Sequence, residues 1–126
     1  MINYLLDTNV FLWYFEDAKR ISPIKGLITS EDSAIFISVV SFWEIIIKIR
    51  TGRLKIDYDE IRNFANKYSF IELPLTSDVS KAYLDLPKIH KDPFDLMLLA
   101  QAITCPMRLI TVDALLADYS SLVVVV

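Results

Sequence analysis

Two aspartates follow strand-like apolar runs, where they could bind a metal or act in catalysis. Asp7 comes directly after the run Ile2–Leu6, and Asp113 ends the run that begins at Leu109. If both runs are strands of one parallel sheet, the two acids lie at its carboxyl-end edge, where open α/β sheets bind ligands. Clustered carboxylates repel one another and need a cation to stay ionised together. The pair therefore indicates a metal site, although capping of the following helix explains each aspartate taken alone.

Glu44 offers a third carboxylate near a predicted helix start. The segment Ser41-Phe42-Trp43-Glu44 has the spacing of a capping box, with serine at the N-cap and glutamate at N3. Lys48 stands four residues further on, where it would form an ion pair along the helix. A cap and an ion pair explain both charges without chemistry, yet a glutamate near the helix start could also face the sheet edge.

Asp95 belongs to a second predicted helix start. In Asp92-Pro93-Phe94-Asp95, the first aspartate suits the N-cap, proline suits N1 and the second aspartate falls at N3. Asp92 is best explained as a cap, and Asp95 gains from the helix dipole whether or not it binds a metal. From composition and spacing alone, caps and a metal site both remain open for these carboxylates.

Hydrophobic patterning indicates the elements that must position the acids. Continuously apolar runs, typical of strands buried on both faces, alternate with stretches of helical period. We therefore predict one domain over residues 1–126, a three-layer α/β/α sandwich with a central, mostly parallel five-stranded sheet. The predicted strands are Ile2–Leu6, Ala34–Ser38, Phe70–Leu73, Arg108–Thr111 and Leu122–Val126. The predicted helices are Val10–Glu16, Ser22–Ser30, Phe42–Arg50, Tyr58–Lys67, Ser77–Leu84, Pro93–Ile103 and Ala114–Asp118.

Composition excludes several classes of site. With 2 glycines the chain has neither a Walker A loop nor a dinucleotide-binding fingerprint, and 1 histidine with 1 cysteine excludes a structural zinc site of the usual kind. A lone Cys105 forms no intrachain disulfide and suits a reducing compartment. The sequence lacks an apolar stretch of about 18 residues, the length of a membrane span. We therefore predict a cytoplasmic protein without membrane contact, and a net charge of −3 argues only weakly against nucleic acid as a partner.

Four short motifs occur in order along the chain. They are Leu6-Asp7-Thr8-Asn9; Ser41-Phe42-Trp43-Glu44 with Lys48 and Gly52-Arg53-Leu54; His90-Lys91-Asp92-Pro93-Phe94-Asp95 followed by Leu99-Ala100-Gln101-Ala102; and Thr111-Val112-Asp113. Together they resemble the successive motifs of VapC-type PIN-domain toxins, and the resemblance covers essentially the whole chain. No single motif is specific, but four in this order are jointly specific.

This resemblance implies an endoribonuclease dependent on Mg²⁺ or Mn²⁺ that is the toxin of a type II toxin–antitoxin pair. It implies an RNA substrate such as transfer or ribosomal RNA, a homodimer, and inhibition by a cognate antitoxin. The catalytic and metal-binding residues carried over are Asp7, Glu44, Asp95 and Asp113, and the supporting residues are Thr8, Asn9, Asp92 and Thr111. Leu96 departs from the pattern, because many relatives have a basic residue there.

Two surface features bear on partners. Just beyond Glu44, a basic cluster could contact RNA phosphates, although a solvated helix end explains it equally well; it consists of Lys48, Arg50, Arg53 and Lys55. The segment Val10–Phe15 is apolar on every face, so the protein's own core, a dimer mate or an antitoxin must cover it, the first being the commonest case.

Two other functions compete with the nuclease. A phosphotransfer domain also places an aspartate after its first parallel strand, but a dehalogenase-like phosphatase needs a second aspartate where Asn9 stands, and a receiver needs an additional acidic pair. A catalytically silent binding module would use the acids only as caps. A ribonuclease with a histidine pair is excluded because His90 is the sole histidine, and we assign His90 to a loop or a cap.

Overall fold

The structure is a computed structural model that describes residues 1–88 and 92–126. His90, which the sequence assigns to a loop or a cap, lies outside the described residues. Within them, five strands alternate with six α-helices. The strands are β1 (Ile2–Leu6), β2 (Ser33–Ser38), β3 (Ile71–Leu73), β4 (Arg108–Thr111) and β5 (Val123–Val125). The helices are α1 (Thr8–Glu16), α2 (Lys25–Thr29), α3 (Val39–Arg50), α4 (Tyr58–Lys67), α5 (Ser77–Ser80) and α6 (Pro93–Thr104).

The described strands form one sheet in the order β3-β2-β1-β4-β5, and every neighbouring pair is parallel. Chain order is reversed on one side of β1, so the central strand has β2 on one flank and β4 on the other. In register, Leu6 lies opposite Ile37 of β2 and Ile110 of β4. The carboxyl ends of these three strands therefore meet at one edge of the sheet, which is the edge predicted to carry the acids.

Two apolar layers cover the sheet, one on each face. Successive side chains of a strand point to opposite faces, so Leu6 packs into a core with Phe11 of α1 and Ile45 of α3. Its neighbour Leu5 packs into the other core with Leu98 of α6. This arrangement confirms the predicted three-layer α/β/α sandwich and explains why the strand sequences are apolar without alternation.

The apolar segment at the start of α1 is covered by the protein's own core. Val10, Phe11, Leu12 and Tyr14 are buried, and Trp13 and Phe15 are partly buried against the same cluster. Arg20 also lies over the ring of Trp13, with 4.9 Å from its guanidinium carbon to the ring centroid. Burial within the monomer therefore accounts for this segment.

Three predicted helices are wholly or partly 3₁₀ in the structure. The stretch predicted as Ser22–Ser30 consists of a 3₁₀ segment, Ala18–Ile24, followed by the short α2. Pro23 lies inside the 3₁₀ segment, where it lacks the N–H that a continuous α-helix would need. The stretch predicted as Ser77–Leu84 is α5 followed by a 3₁₀ segment, Lys81–Asp85, and the predicted helix Ala114–Asp118 is itself 3₁₀.

Gly52 directly follows Thr51, the C-cap of α3. Its φ is +77°, in the left-handed region that favours glycine after a helix C-terminus, and its N–H donates to the carbonyl of Ile49 at 3.1 Å. None of the described helices is long and apolar enough to cross a membrane.

Candidate metal centre

Asp7 lies buried where β1 passes into α1. Its side chain is 2% exposed, and its Oδ1 accepts a hydrogen bond from the N–H of Val10 at 2.7 Å, which makes it the N-cap of α1. Its Oδ2 accepts a hydrogen bond from the hydroxyl of Thr111 and a longer one from the N–H of Val112 at 3.4 Å. The capping role is confirmed, and the other oxygen of the same carboxylate is held by the end of β4.

The pKa of Asp7 is raised above its ordinary value. Burial is the largest cause, since it removes water from the charged form. Hydrogen bonds from Thr111 and from the N–H groups of Val10 and Val112 lower the pKa, and the negative charge of Glu44 raises it. The ionised form of Asp7 is therefore costly in this pocket, and a cation placed there would offset that cost.

Asp113 lies on the same edge, joined to Asp7 through Thr111. It caps the 3₁₀ segment Ala114–Asp118 by accepting a hydrogen bond from the N–H of Leu115 at 3.0 Å. Its own N–H donates to the hydroxyl oxygen of Thr111 at 3.1 Å. The predicted convergence of the two strand ends is thus realised through one shared hydroxyl group.

The helix that carries Glu44 begins earlier than predicted, at Val39 instead of Phe42. Ser38 is the N-cap, because its hydroxyl oxygen accepts a hydrogen bond from the N–H of Val40 at 3.0 Å. The capping-box prediction for Ser41 and Glu44 was therefore wrong. Ser38 is the last residue of β2 and satisfies an orphan N–H at once, so the helix starts without an intervening loop.

Glu44 consequently lies one turn deeper in α3, with 6% of its surface exposed. Its Oε2 is 2.9 Å from the Nζ of Lys48, which confirms the predicted ion pair along the helix. Its Oε1 is buried, and among residues 1–88 and 92–126 it has no hydrogen-bond partner. A buried carboxylate oxygen of this kind is rare, because leaving it unpaired costs free energy.

Asp92 and Asp95 lie at the start of α6 as predicted. Asp92 is the N-cap, accepting hydrogen bonds from the N–H of Phe94 at 2.9 Å and of Asp95 at 3.4 Å, with Pro93 in the first turn. Asp95 lies in that first turn and is half-buried. Leu96, the residue at which the sequence departs from the motif pattern, is buried.

A cleft of about 500 Å³ runs between α3 and the start of α6. Glu44, Lys48 and Arg53 line one side of the cleft, and Asp92 lies on the other. It is bordered by both acidic and basic groups, so a phosphate could approach the carboxylates there. Arg50 and Lys55 of the predicted basic cluster are exposed.

Several positioning residues were not found from the sequence. The hydroxyl of Ser38 donates to Oε1 of the fully buried Gln101 on α6, and Nε2 of Gln101 donates to the carbonyl of Pro74 at 3.2 Å. The hydroxyl of Thr8 donates to that of Ser41 at 3.0 Å and ties α1 to α3. A polar residue inside the apolar run Leu96–Ala102 was the signal for Gln101. Asn9, in contrast, is exposed.

Asp7 and Asp113 follow neighbouring strands at the carboxyl-end edge of the sheet, while Glu44 lies within α3 and Asp95 in the first turn of α6. Within the described residues, no three histidine, cysteine, aspartate or glutamate side chains are placed so as to hold a metal ion. The donors nevertheless fit Mg²⁺ or Mn²⁺, which prefer carboxylate oxygens and keep several waters. Two observations favour a cation: Oε1 of Glu44 has no hydrogen-bond partner among the described residues, and the negative charge of Glu44 contributes to the raised pKa of buried Asp7.

A family model described as PIN domain matches residues 4–122. The chain belongs to the PIN domain family. As a family, PIN domains generally use divalent metal ions. A comparison with curated protein sequences finds no match.

Solved structures resemble this PIN domain closely in fold. A chain of VapBC2 from Rickettsia felis, bound to promoter DNA, has a TM-score of 0.73 at 14% identity over 97% of this chain and 96% of that one. A toxin–antitoxin complex from Klebsiella pneumoniae has a TM-score of 0.68 at 20% identity over 96% and 95% of the two chains. VapBC-1 from nontypeable Haemophilus influenzae has a TM-score of 0.64 at 17% identity over 93% and 91%. These identities are low, so the likeness establishes the shared fold.

Proposed function

We propose that this PIN domain is an endoribonuclease dependent on Mg²⁺ or Mn²⁺ and the toxin of a type II toxin–antitoxin pair. VapC-type PIN domains are nucleases. The observation that carries the proposal is the buried pair of Asp7 and Glu44, whose Oε1 has no hydrogen-bond partner among the described residues. Buried carboxylates whose negative charges interact, as these two do, are costly to keep ionised together unless a cation is bound near them.

The metal ligands proposed are Asp7, Glu44, Asp95 and Asp113. Asp7 and Glu44 supply the buried oxygens, while Asp95 and Asp113 are half-buried at the ends of neighbouring elements. Thr111 holds Asp7, Thr8 holds α1 against α3, and Asp92 starts α6 so that Asp95 projects from its first turn. Asn9, exposed beside Asp7, is assigned a supporting role toward the substrate.

These side chains could support phosphodiester cleavage by binding a divalent ion and the phosphates of the RNA. When bound, the ion would supply Lewis-acid charge, which activates water and neutralises the phosphate. Asp7 and Glu44 fix the position of that charge, because both are buried and anchored on rigid elements. Lys48 and Arg53, on the wall of the cleft, bind the phosphates that flank the scissile one.

The toxin role is supported by the fold and by its neighbours. The solved structures that this chain resembles include VapBC2 of Rickettsia felis and VapBC-1 of Haemophilus influenzae. We propose a cognate antitoxin as the protein partner, a homodimer as the assembly, and the cytoplasm as the compartment, where RNA substrates are present.

Cleavage of total cellular RNA by purified, antitoxin-free protein tests the activity. The parent is compared with Asp95→Asn in Mn²⁺ and in EDTA, and with Asp118→Asn as a matched control at an exposed aspartate. We expect fragments only with metal, their loss in Asp95→Asn, and their retention in Asp118→Asn. Fragments that persist in EDTA, or an Asp95→Asn protein as active as the parent, would contradict the proposal.

A catalytically silent binding module is the second candidate, and the cap geometry favours it. Asp7, Asp92 and Asp113 each accept a backbone N–H at the start of a helix, so each carboxylate already has a structural role. In that case the protein would cleave no RNA with any divalent metal, and Asp95→Asn would behave as the parent does in metal binding.

A further inference from the structure

The two carboxylate oxygens of Glu44 lie in different surroundings. Oε2 is 2.9 Å from the Nζ of Lys48, one helical turn further along α3. Oε1 is buried and has no partner among the residues that the structure describes. One oxygen is thus paired with Lys48, and the other is buried without a hydrogen-bond partner in the described part of the chain.

We propose that Lys48 is a positioning residue of the metal centre, which holds Oε2 of Glu44 so that Oε1 is reserved for a divalent cation. The inference rests on the proposed function, since it assigns a role within the same site. It differs from a phosphate-binding role for Lys48, because it concerns the metal-binding protein before any RNA is present.

The geometry of α3 explains why Lys48 is suited to this role. Residues four apart on a helix face the same side, so the ion pair forms without distortion of the backbone. The side chains are 27% exposed for Lys48 and 8% for Glu44, which distinguishes this pair from the freely solvated ion pairs that contribute little. A carboxylate held at one oxygen cannot rotate freely, and groups that hold metal ligands in this way raise metal affinity.

The positive charge of Lys48 by itself would have the opposite effect on metal affinity. If Lys48 acted only as a nearby positive charge, it would repel the incoming cation, and its removal would tighten metal binding. If Lys48 orients Glu44, its removal weakens metal binding, because Glu44 is then free to turn away from the site. The sign of the change therefore separates positioning from repulsion.

Titration calorimetry of metal-free protein with Mn²⁺, without RNA, tests the inference. We expect Lys48→Met to weaken Mn²⁺ binding by about 10- to 100-fold and Lys48→Arg to stay close to the parent. Lys25→Met, at an exposed lysine of α2 outside the proposed site and the basic cluster, serves as the control and should leave affinity unchanged. Lys48→Gln provides a second uncharged variant, and circular dichroism establishes that each protein is folded.

Glu44→Gln distinguishes a failure of the proposed role of Lys48 from a failure of the metal centre itself. If Glu44→Gln abolishes Mn²⁺ binding while Lys48→Met and Lys48→Gln bind as tightly as the parent or more tightly, the role of Lys48 is overturned and the metal centre stands. If the parent binds no Mn²⁺, or Glu44→Gln binds as the parent does, the metal centre itself is overturned and the role of Lys48 falls with it.

Discussion

The hydroxyl of Thr111 donates a hydrogen bond to Oδ2 of Asp7 across 104 positions of the chain. The same hydroxyl oxygen accepts the N–H of Asp113 at 3.1 Å. Thr111 is the last residue of β4 and Asp7 directly follows β1, so this contact joins the carboxyl ends of the two neighbouring strands. Thr111 thus positions Asp7 and Asp113 together, and its loss should disturb both.

Thr111→Val should destabilise the protein and impair cleavage. Valine has a similar shape, but it removes the hydroxyl donor from Oδ2 of buried Asp7 and leaves that oxygen with the longer hydrogen bond from the N–H of Val112, so we expect a loss of about 1–3 kcal/mol in the free energy of unfolding. Urea denaturation measures the loss. Thr111→Ser keeps the hydroxyl and should retain most of the stability and activity. Equal effects of the two substitutions would show that packing, and not the hydrogen bond, is what matters at this position.

Asp7→Asn should change how stability depends on pH in metal-free protein. The pKa of Asp7 is raised by burial, so the folded chain keeps the proton at pH values where the unfolded chain has lost it. The stability contributed by Asp7 is full below the unfolded pKa of about 4 and is lost as pH rises through the higher folded pKa. Asparagine resembles the protonated form, so Asp7→Asn should be more stable than the parent near neutral pH.

Melting temperatures between acidic and neutral pH, measured in EDTA, check this prediction. The advantage of Asp7→Asn over the parent should shrink as the pH falls. Asp118→Asn, at an exposed site, should follow the parent throughout. A higher melting temperature for the parent than for Asp7→Asn at neutral pH without metal would contradict a raised pKa of Asp7.

Divalent metal should stabilise the parent protein but not the Glu44→Gln variant. A ligand present at a hundred times its dissociation constant stabilises the folded state by about 2.7 kcal/mol. The melting temperature of the parent should therefore be higher with Mn²⁺ or Mg²⁺ than in EDTA. The melting temperature of Glu44→Gln should be the same with metal as in EDTA. A rise of the same size in Glu44→Gln would place the bound ion elsewhere.

Ser38→Ala tests the observed start of α3. The substitution removes the N-cap and leaves Oε1 of buried Gln101 without its donor, so we expect a loss of about 1–3 kcal/mol in the free energy of unfolding. Ser22→Ala, at an exposed serine, is the matched control and should cost little. If the two substitutions had equal effects in urea denaturation, Ser38 would not be the residue that caps α3.

Arg53→Gln should weaken RNA binding without altering the metal centre. Arg53 is exposed on the wall of the cleft, and loss of one charge-assisted contact to phosphate should raise KM by about tenfold with kcat little changed. Arg108→Gln is the control, because Arg108 is exposed at the start of β4, opposite the acidic edge. Cleavage kinetics on one RNA measure both, and an equal rise in the two variants would argue for a general charge effect.

The sequence predicted the sheet better than the helix starts, for physical reasons. β1, β4 and α4 have their predicted bounds, because their apolar patterns are continuous or strongly periodic. The start of α3 was missed because Ser38 ends a strand, and the spacing from Ser41 to Glu44 imitates a capping box. The contact that favours Ser38 is made with Gln101, 63 positions away, and local patterns do not contain it.

The candidate site was predictable in part. Strand order brings Asp7 and Asp113 to one edge, which follows from two apolar runs ending in aspartate within a parallel sheet. Two features depend on side-chain packing: the hydroxyl of Thr111 between these acids, and the difference between the two oxygens of Glu44, of which Oε1 has no hydrogen-bond partner in the described part of the chain. Such packing cannot be derived from spacing along the chain.

Anomalous diffraction from crystals grown with Mn²⁺ tests the proposed metal centre itself, because it locates the bound ion independently of any activity. We expect manganese at the carboxyl ends of β1 and β4, coordinated by the carboxylates of Asp7 and Glu44, with Oε1 of Glu44 as a ligand. Manganese bound elsewhere, or no manganese at this edge while Asp7 and Glu44 keep their present contacts, would contradict the proposed metal centre.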